Sequence, residues 1–247
     1  QLGLIAGGSL LFLVVVLLII IYKNKNQIAI NKVMAELEMK ALRSQMNPHF
    51  IFNSLNSIQK YIWENKKEDA SEYLIKFARL IRLVLENSLH TSVKLSDELN
   101  ALRLYIEMEH RRNNQKFDYS ITINDNVDAD KIYIPPLLLQ PYVENAIWHG
   151  LSQKEERGKL PVLIERKENA LICIIDDDGI GRVKADAIKI NKLQATSLGM
   201  NISSERIEWL QKDAGLRAAV EIRDKYTEGN AGGTEVILTL PLIVKNA

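Results

Sequence analysis

His49 stands in the stretch Gln45-Met46-Asn47-Pro48-His49-Phe50-Ile51-Phe52-Asn53-Ser54-Leu55-Asn56, with a proline before it and no acidic residue beside it. Three roles are open to such a histidine: packed core residue, metal ligand, or nucleophile. An imidazole near its ordinary pKa of ~6.5 is mostly neutral at pH 7, so a ring nitrogen keeps a lone pair for attack. Three segments downstream carry residue types that suit a nucleotide. In Gln140-Pro141-Tyr142-Val143-Glu144-Asn145-Ala146-Ile147-Trp148-His149-Gly150, Asn145 and His149 are four apart on one helix face, and Gly150 is expected to close the helix. The Asn145 carboxamide oxygen is a hard, neutral donor suited to a Mg²⁺ that also holds substrate phosphates, and His149 could donate to a phosphate.

The second segment is Ile174-Ile175-Asp176-Asp177-Asp178-Gly179-Ile180-Gly181. Gly179 and Gly181 let the backbone approach a flat ligand, and a carboxylate there can accept from the exocyclic amine of adenine. The third is Gly229-Asn230-Ala231-Gly232-Gly233-Thr234, a glycine-rich turn whose N–H groups can cradle phosphate oxygens. No Gly-Lys-Ser/Thr follows, so it is not a Walker loop. Ser197-Leu198-Gly199-Met200 opens a helix and offers another phosphate-facing N-terminus. Each signal has a plain counterpart: a surface asparagine on a core helix, a turn after a strand, three carboxylates around a cation. Their occurrence together, in this order, favours the nucleotide. His90 at a helix end and His110 beside Glu109, Arg111 and Arg112 read as surface residues, and no two histidines have ligand spacing with cysteine for zinc.

The elements that must position these residues follow from periodicity. Apolar residues at threes and fours predict a helix from Gln27 to about Trp63. A second helix presents Leu74, Phe77, Ile81, Val84 and Leu85 on one face and Lys76, Arg79 and Arg82 on the other. A third runs from an N-cap at Ser96, with Asp97 and Glu98 in its first turn, to about Asn113. Helices joined by short turns are antiparallel neighbours, and two such hairpins would make a four-helix dimer. Beyond Asn113 the texture is α+β. Strands are expected at Phe117–Ile123, Val162–Lys167, Leu171–Asp176, Ala218–Arg223 and Glu235–Leu240. Helices are expected from Leu137, after Pro135-Pro136, to His149 and from Leu198 to Gln211. One mixed sheet packed against helices is the expected architecture.

The chain has 247 residues, of which 47% are hydrophobic and 26% charged, enough for one large domain or two small ones. A net charge of +1 gives no electrostatic case for nucleic-acid binding. One cysteine, Cys173, lies in an apolar run, so there is no disulfide framework and a buried thiol is expected. Leu2 to Ile21 carries no charge, and ~20 apolar residues at ~1.5 Å each cross a ~30 Å hydrocarbon layer. Tyr22, Lys23 and Lys25 follow, which puts the rest of the chain in the cytoplasm beneath a cell (inner) membrane. Gly3 and Gly7 are spaced as a small-residue helix contact. Beginning at Gln1, the chain is expected to be the C-terminal part of a longer membrane protein.

The motifs around His49, Gln140–Gly150, Asp177–Gly181 and Gly232–Thr234 resemble those of the LytS/YehU-type sensor histidine kinases, over about Ala41 to Leu242. After the membrane helix over 1–22, the resemblance implies a dimeric phosphoacceptor module, with its linker helix, over 23–113 and an ATP-binding domain of the Bergerat fold over 114–247. It implies that His49 is phosphorylated from ATP, that Asn145 holds magnesium, and that Asp177 reads adenine. Gly179, Gly181, Gly199, Gly232 and Gly233 would form the nucleotide loops beside Thr234. The partner implied is a response regulator, often one with a DNA-binding output domain. Trp148 stands where many relatives carry a basic residue, and Arg182–Thr196, with Lys184, Lys189 and Lys192, would be the lid. For His49, Glu144 and Glu107 are candidate bases. Asn53, one turn beyond, could orient a water or hold the imidazole. Two other readings are a non-enzymatic ATP-binding membrane scaffold and an ATPase of the same fold without a phosphoacceptor.

Overall fold

A computed structural model describes residues 48–182, 184–185, 218–227 and 230–244, all within one compact unit, Gln45–Ala247. The expected membrane helix, the helix between Gln27 and Asn47, most of the lid, Gly199 and the Leu198–Gln211 helix lie outside the described residues. Among the described residues, no helix is long and apolar enough to cross a membrane.

Three helices come first: α1 (Pro48–Trp63), α2 (Lys67–Ser88) and α3 (Leu95–Arg112). Asn65, with φ of 55°, makes the tight turn between α1 and α2. The seam that holds them is Phe50, Tyr73, Leu80, Val84, Leu102 and Tyr105, all buried. Burying side chains of this kind is worth ~1.5–3 kcal/mol each. Partly exposed ion pairs tie α2 to α3, Lys76 with Glu107 and Arg111 with Glu72 at 2.8 Å. Exposed pairs contribute ~0–1 kcal/mol, so the apolar seam decides the packing. The buried face of α2 is turned from the one expected, sharing Val84 with it. Tyr73 takes the inward position while Leu74 is 50% exposed, because the stripe Tyr73-Leu80-Val84 is the one that meets α1 and α3.

Two sheets follow. Strands β1 (Val93–Lys94), β3 (Ile132–Ile134) and β8 (Ile243–Val244) form a small antiparallel sheet, so the strand before α3 is joined to strands beyond Asn113. The larger sheet has the order β2 (Phe117–Ile123), β4 (Gly158–Lys167), β5 (Ala170–Asp177), β7 (Asn230–Pro241), β6 (Ala219–Thr227). It is mixed: β2 runs parallel to β4, and the other neighbours are antiparallel. Along β4, Gly158, Leu160, Val162 and Ile164 are buried at every second residue, as the pleat requires. The turn expected at Glu168–Asn169 is present, with Glu168 at φ 52°. Helix α3 packs on both sides, against α2 and against the sheet, and Cys173 is buried in the central strand.

Four local expectations are corrected. The helix expected from Leu137 begins at Gln140 as α4 (Gln140–Asn145), with Pro141 in its first turn. The third helix begins at Leu95 with Lys94 as cap residue and no side-chain cap, since Ser96 N–H donates to the Ala129 carbonyl instead. Glu98 does more than face a helix dipole. It is 1% exposed and accepts from the N–H groups of Leu137 at 2.7 Å and Leu139 at 3.1 Å, which pins a loop where Leu137 has φ of 54°. His110 is no free surface group, because its ring lies 5.3 Å from those of Phe117 and Tyr119, and burial lowers its pKa.

Candidate nucleotide-binding site

The site lies at the end of β5. Helix α4 does not stop at a glycine cap. It widens into a π-turn over Ala146–Gly150 and then a short 3-10 turn over Leu151–Gln153. Gly150 itself keeps right-handed dihedrals (φ −98°, ψ −76°), so the expected closing role is not what it performs. Its role is contact. A Cβ on Gly150 would meet Asp177 Oδ1 at 2.7 Å, and one on Gly179 would meet the Gly150 Cα at 2.4 Å. The two glycine backbones therefore pack directly against each other and against the carboxylate, a spacing no other residue permits.

The third motif is likewise closer-knit than expected. Asn230–Thr234 is no phosphate turn but the opening of β7, with Thr234 opposite Asp177. Gly233 has φ of 120°, and a Cβ there would lie 2.0 Å from the Asp177 carbonyl oxygen. Gly232 precedes it in the same strand. Gly229 lies outside the described residues.

The three consecutive carboxylates separate. Asp176 pairs with Lys225, and Asp178 accepts from the Lys159 N–H at 2.7 Å and faces Lys154 at 3.1 Å. Asp177 alone turns into the interior, 4% exposed, and accepts from the Gly179 N–H at 2.8 Å. Burial pushes its pKa up to about 7, against the opposing pull of that N–H and of Lys225. A carboxyl so placed has a second oxygen able to accept from a ligand amine.

Asp177 lines a cavity of about 240 Å³. Asn145, His149, Gly150, Gly181 and Thr234 line it too, which brings together residues from all three motifs. Ile175, Ile222 and Val236 supply apolar wall, and Tyr142 and Ala146 the helix side. Arg182 stands at the margin, forked onto Asp224 by two contacts of 2.7 Å. The residues suit a purine nucleotide: apolar walls for a flat ring, one buried acceptor for its amine, and imidazole, hydroxyl and guanidinium groups for phosphates. Asn145 fits magnesium, which takes one or two protein oxygens and completes its shell with phosphate and water. Ile175, Ile222 and Val236 were not singled out from sequence as walls of the site, and Arg182 was named there only as the first residue of the lid. The alternation of Ile175 with Asp177, and of Val236 with Thr234, is the signal that would have found the walls.

The surroundings of His49 are described only in part. His49 is the second residue of α1, and its side chain lies outside the described residues. Phe50 after it is 1% exposed, with its ring 5.0 Å from Tyr105 and 6.3 Å from Phe77. Phe52 and Leu55 face outward from the hairpin at 66% and 49% exposure. Asn53 accepts from the Ser57 hydroxyl through its backbone carbonyl, and its carboxamide nitrogen is buried with no partner among the described residues. Glu144 is half-buried beside Asn145, and Glu107 is engaged by Lys76.

Residues 37–117 match the family model described as Histidine kinase. Sensor protein LytS of Enterococcus faecalis is 28% identical over 167 residues, 68% of this chain and 28% of that protein. Sensor histidine kinase/phosphatase LytS of Staphylococcus aureus is 31% identical over 152 residues, 61% of this chain and 26% of that protein. The chain thus spans about a quarter of the length of these curated relatives. The catalytic domain of histidine kinase ThkA is 15% identical with a TM-score of 0.42, covering 63% of this chain and 98% of that one. The motif resemblance to the LytS-type histidine kinases is borne out by the family model and the relatives.

Proposed function

We propose that this chain, a LytS-type histidine kinase by its motifs and its relatives, binds ATP with Mg²⁺ and transfers the γ-phosphoryl group to His49. The carrying observation is the buried Asp177 carboxyl, set between Gly150, Gly179 and Gly233 at the floor of the cavity that Asn145 and His149 also line. Asp177 would read the adenine amine. Gly179 and Gly181, with the Gly232-Gly233-Thr234 strand, would bring backbone to the nucleotide, and His149 would donate to phosphate. Asn145 would hold the magnesium, which when bound offsets the negative charge of the phosphate chain. A neutral His49 nitrogen forms the N–P bond as the β–γ bridging oxygen leaves with ADP. Phosphoryl transfer asks for in-line placement and charge neutralisation above all. Of the candidate bases, Glu144 adjoins Asn145, whereas Glu107 is engaged by Lys76. Asn53 would orient a water or the imidazole.

The phosphoryl group would then pass to an aspartate of a response regulator, one that carries a DNA-binding output domain in the fullest form of this reading. The outward apolar residues Phe52, Leu55, Ile62, Trp63 and Leu74 support a homodimer formed through the α1–α2 hairpin. Residues 2–21 would anchor the protein in the cell membrane. The test is labelling with γ-³²P ATP and Mg²⁺. Acid-labile, base-stable label on the wild type and none on His49→Gln is expected. A wild type that binds ATP but takes no label would leave a non-enzymatic scaffold. Label persisting in His49→Gln would move the acceptor elsewhere.

A further inference from the structure

One face of α3 reaches both ends of the proposed reaction. Tyr105, Glu109 and Arg112 recur at i, i+4 and i+7, so they form one stripe. At its N-terminal end, Tyr105 packs against Phe50, the residue after His49, at 5.0 Å between ring centroids. At its C-terminal end, the Arg112 guanidinium lies over the Trp148 ring, 4.0 Å from the centroid. Trp148 adjoins His149 in the π-turn whose residues line the nucleotide cavity.

Between these ends sits Glu109, wholly buried. Arg112 Nε donates to its Oε1 at 3.1 Å and Arg112 Nη2 to its Oε2, a fork that fixes the guanidinium plane. Burial pushes the Glu109 pKa up while Arg112 pulls it down. The same helix end is tied to the turn again, because Asn113 Nδ2 donates to the Glu109 carbonyl at 2.8 Å and Ser152 Oγ donates to Asn113 Oδ1 at 2.9 Å. A buried ion pair is poor at adding stability, since losing hydration offsets the attraction. What a forked pair supplies is orientation, here of a flat cation against a flat ring.

We propose that Arg112, held by Glu109, is a positioning residue: stacked on Trp148, it sets the end of α4 with Asn145 and the π-turn with His149 in register with the helix that carries His49. The inference rests on the kinase reading above. Arg112 is not among the residues lining the cavity around Asp177, so its removal should disturb phosphate placement and leave adenine binding largely alone.

The experiment uses the 247-residue chain and two readouts: the rate of His49 labelling at saturating Mg-ATP, and ADP affinity by calorimetry. For Arg112→Ala the labelling rate should fall by about tenfold or more, as expected when reacting groups are displaced by a fraction of an ångström. ADP affinity should stay within about threefold, the pattern of an interaction used in the transition state and not in ground-state binding. Arg112→Lys keeps the charge but loses the plane and should fall between. Trp148→Leu removes the stacked face while keeping the Glu109–Arg112 pair, so it reports even where Arg112→Ala fails to fold, and it should reproduce the rate loss. Labelling within about twofold of wild type in Trp148→Leu, or ADP affinity lost in step with the rate, overturns the proposal. Absence of label on wild-type His49 is a separate outcome that removes the kinase reading itself.

Discussion

The floor of the cavity around Asp177 and the α1–α2 hairpin use their surfaces in opposite ways. At the floor, Gly150, Gly179 and Gly233 bring three backbone segments to within a missing methyl group of one another around a carboxyl that is 4% exposed. On the hairpin, large apolar side chains stand outward, with Trp63 at 75% and Phe52 at 66% exposure. The floor is complete within one chain and intolerant of added atoms. The hairpin face has apolar area that only another surface can cover. On the proposed reading, one region holds a ligand in a fixed pose and the other meets a second copy of the chain.

The sharpest break would come from adding one methyl group at the floor. Gly233→Ala forces a side chain onto a φ of 120° and to 2.0 Å from the Asp177 carbonyl. We expect nucleotide binding to be lost and the thermal midpoint to drop by about 4–10 °C, read by calorimetry with and without ADP. Asp177→Asn should come next. Loss of the charged acceptor should weaken ADP binding by about 10–100-fold, the worth of a hydrogen bond to a charged group. The folded protein should lose no stability above pH 7, because the buried negative charge is gone.

The pH dependence sharpens the same contrast, since the floor carries a buried carboxyl that titrates near neutrality. Asp177 has a folded pKa of about 7, above its ordinary value of 3.8, so the folded form holds the proton more tightly than the unfolded form. Its contribution to stability is present at low pH and fades as pH rises from near 4 through 7. ADP affinity should rise over that range, because the ionised form is the better acceptor. Thermal unfolding and calorimetric titration at several pH values would show opposite slopes, and parallel slopes would refute the assignment. The smallest change in stability is expected on the hairpin. Phe52→Ser with Leu74→Ser removes side chains already exposed, so the unfolding free energy should shift by less than about 1 kcal/mol. Self-association, measured by sedimentation, should be lost.

The motifs were legible because their chemistry is local. Asn145 and His149 at a four-residue spacing, Asp177 with Gly179 and Gly181, and Gly233 before Thr234 pointed toward a nucleotide without any fold. What was not legible was why the glycines are there. Gly150 suggested a cap and Gly233 a phosphate turn, yet both serve contacts with Asp177 from segments distant in sequence. Glu109 and Arg112, beside His110, read as surface residues, because charge alone does not say which partner will bury them.

By itself, the sequence of this chain determined the period of its helices and strands, the break in texture after Asn113, and which side chains could do chemistry, since each depends on neighbours within a turn or a pleat. Tertiary structure alone decided which of three adjacent aspartates turns inward and which stripe of α2 is buried. It also decided that Arg112 lies over Trp148. Such choices depend on packing between residues tens of positions apart, where a shift of one residue exchanges the buried face for the exposed one.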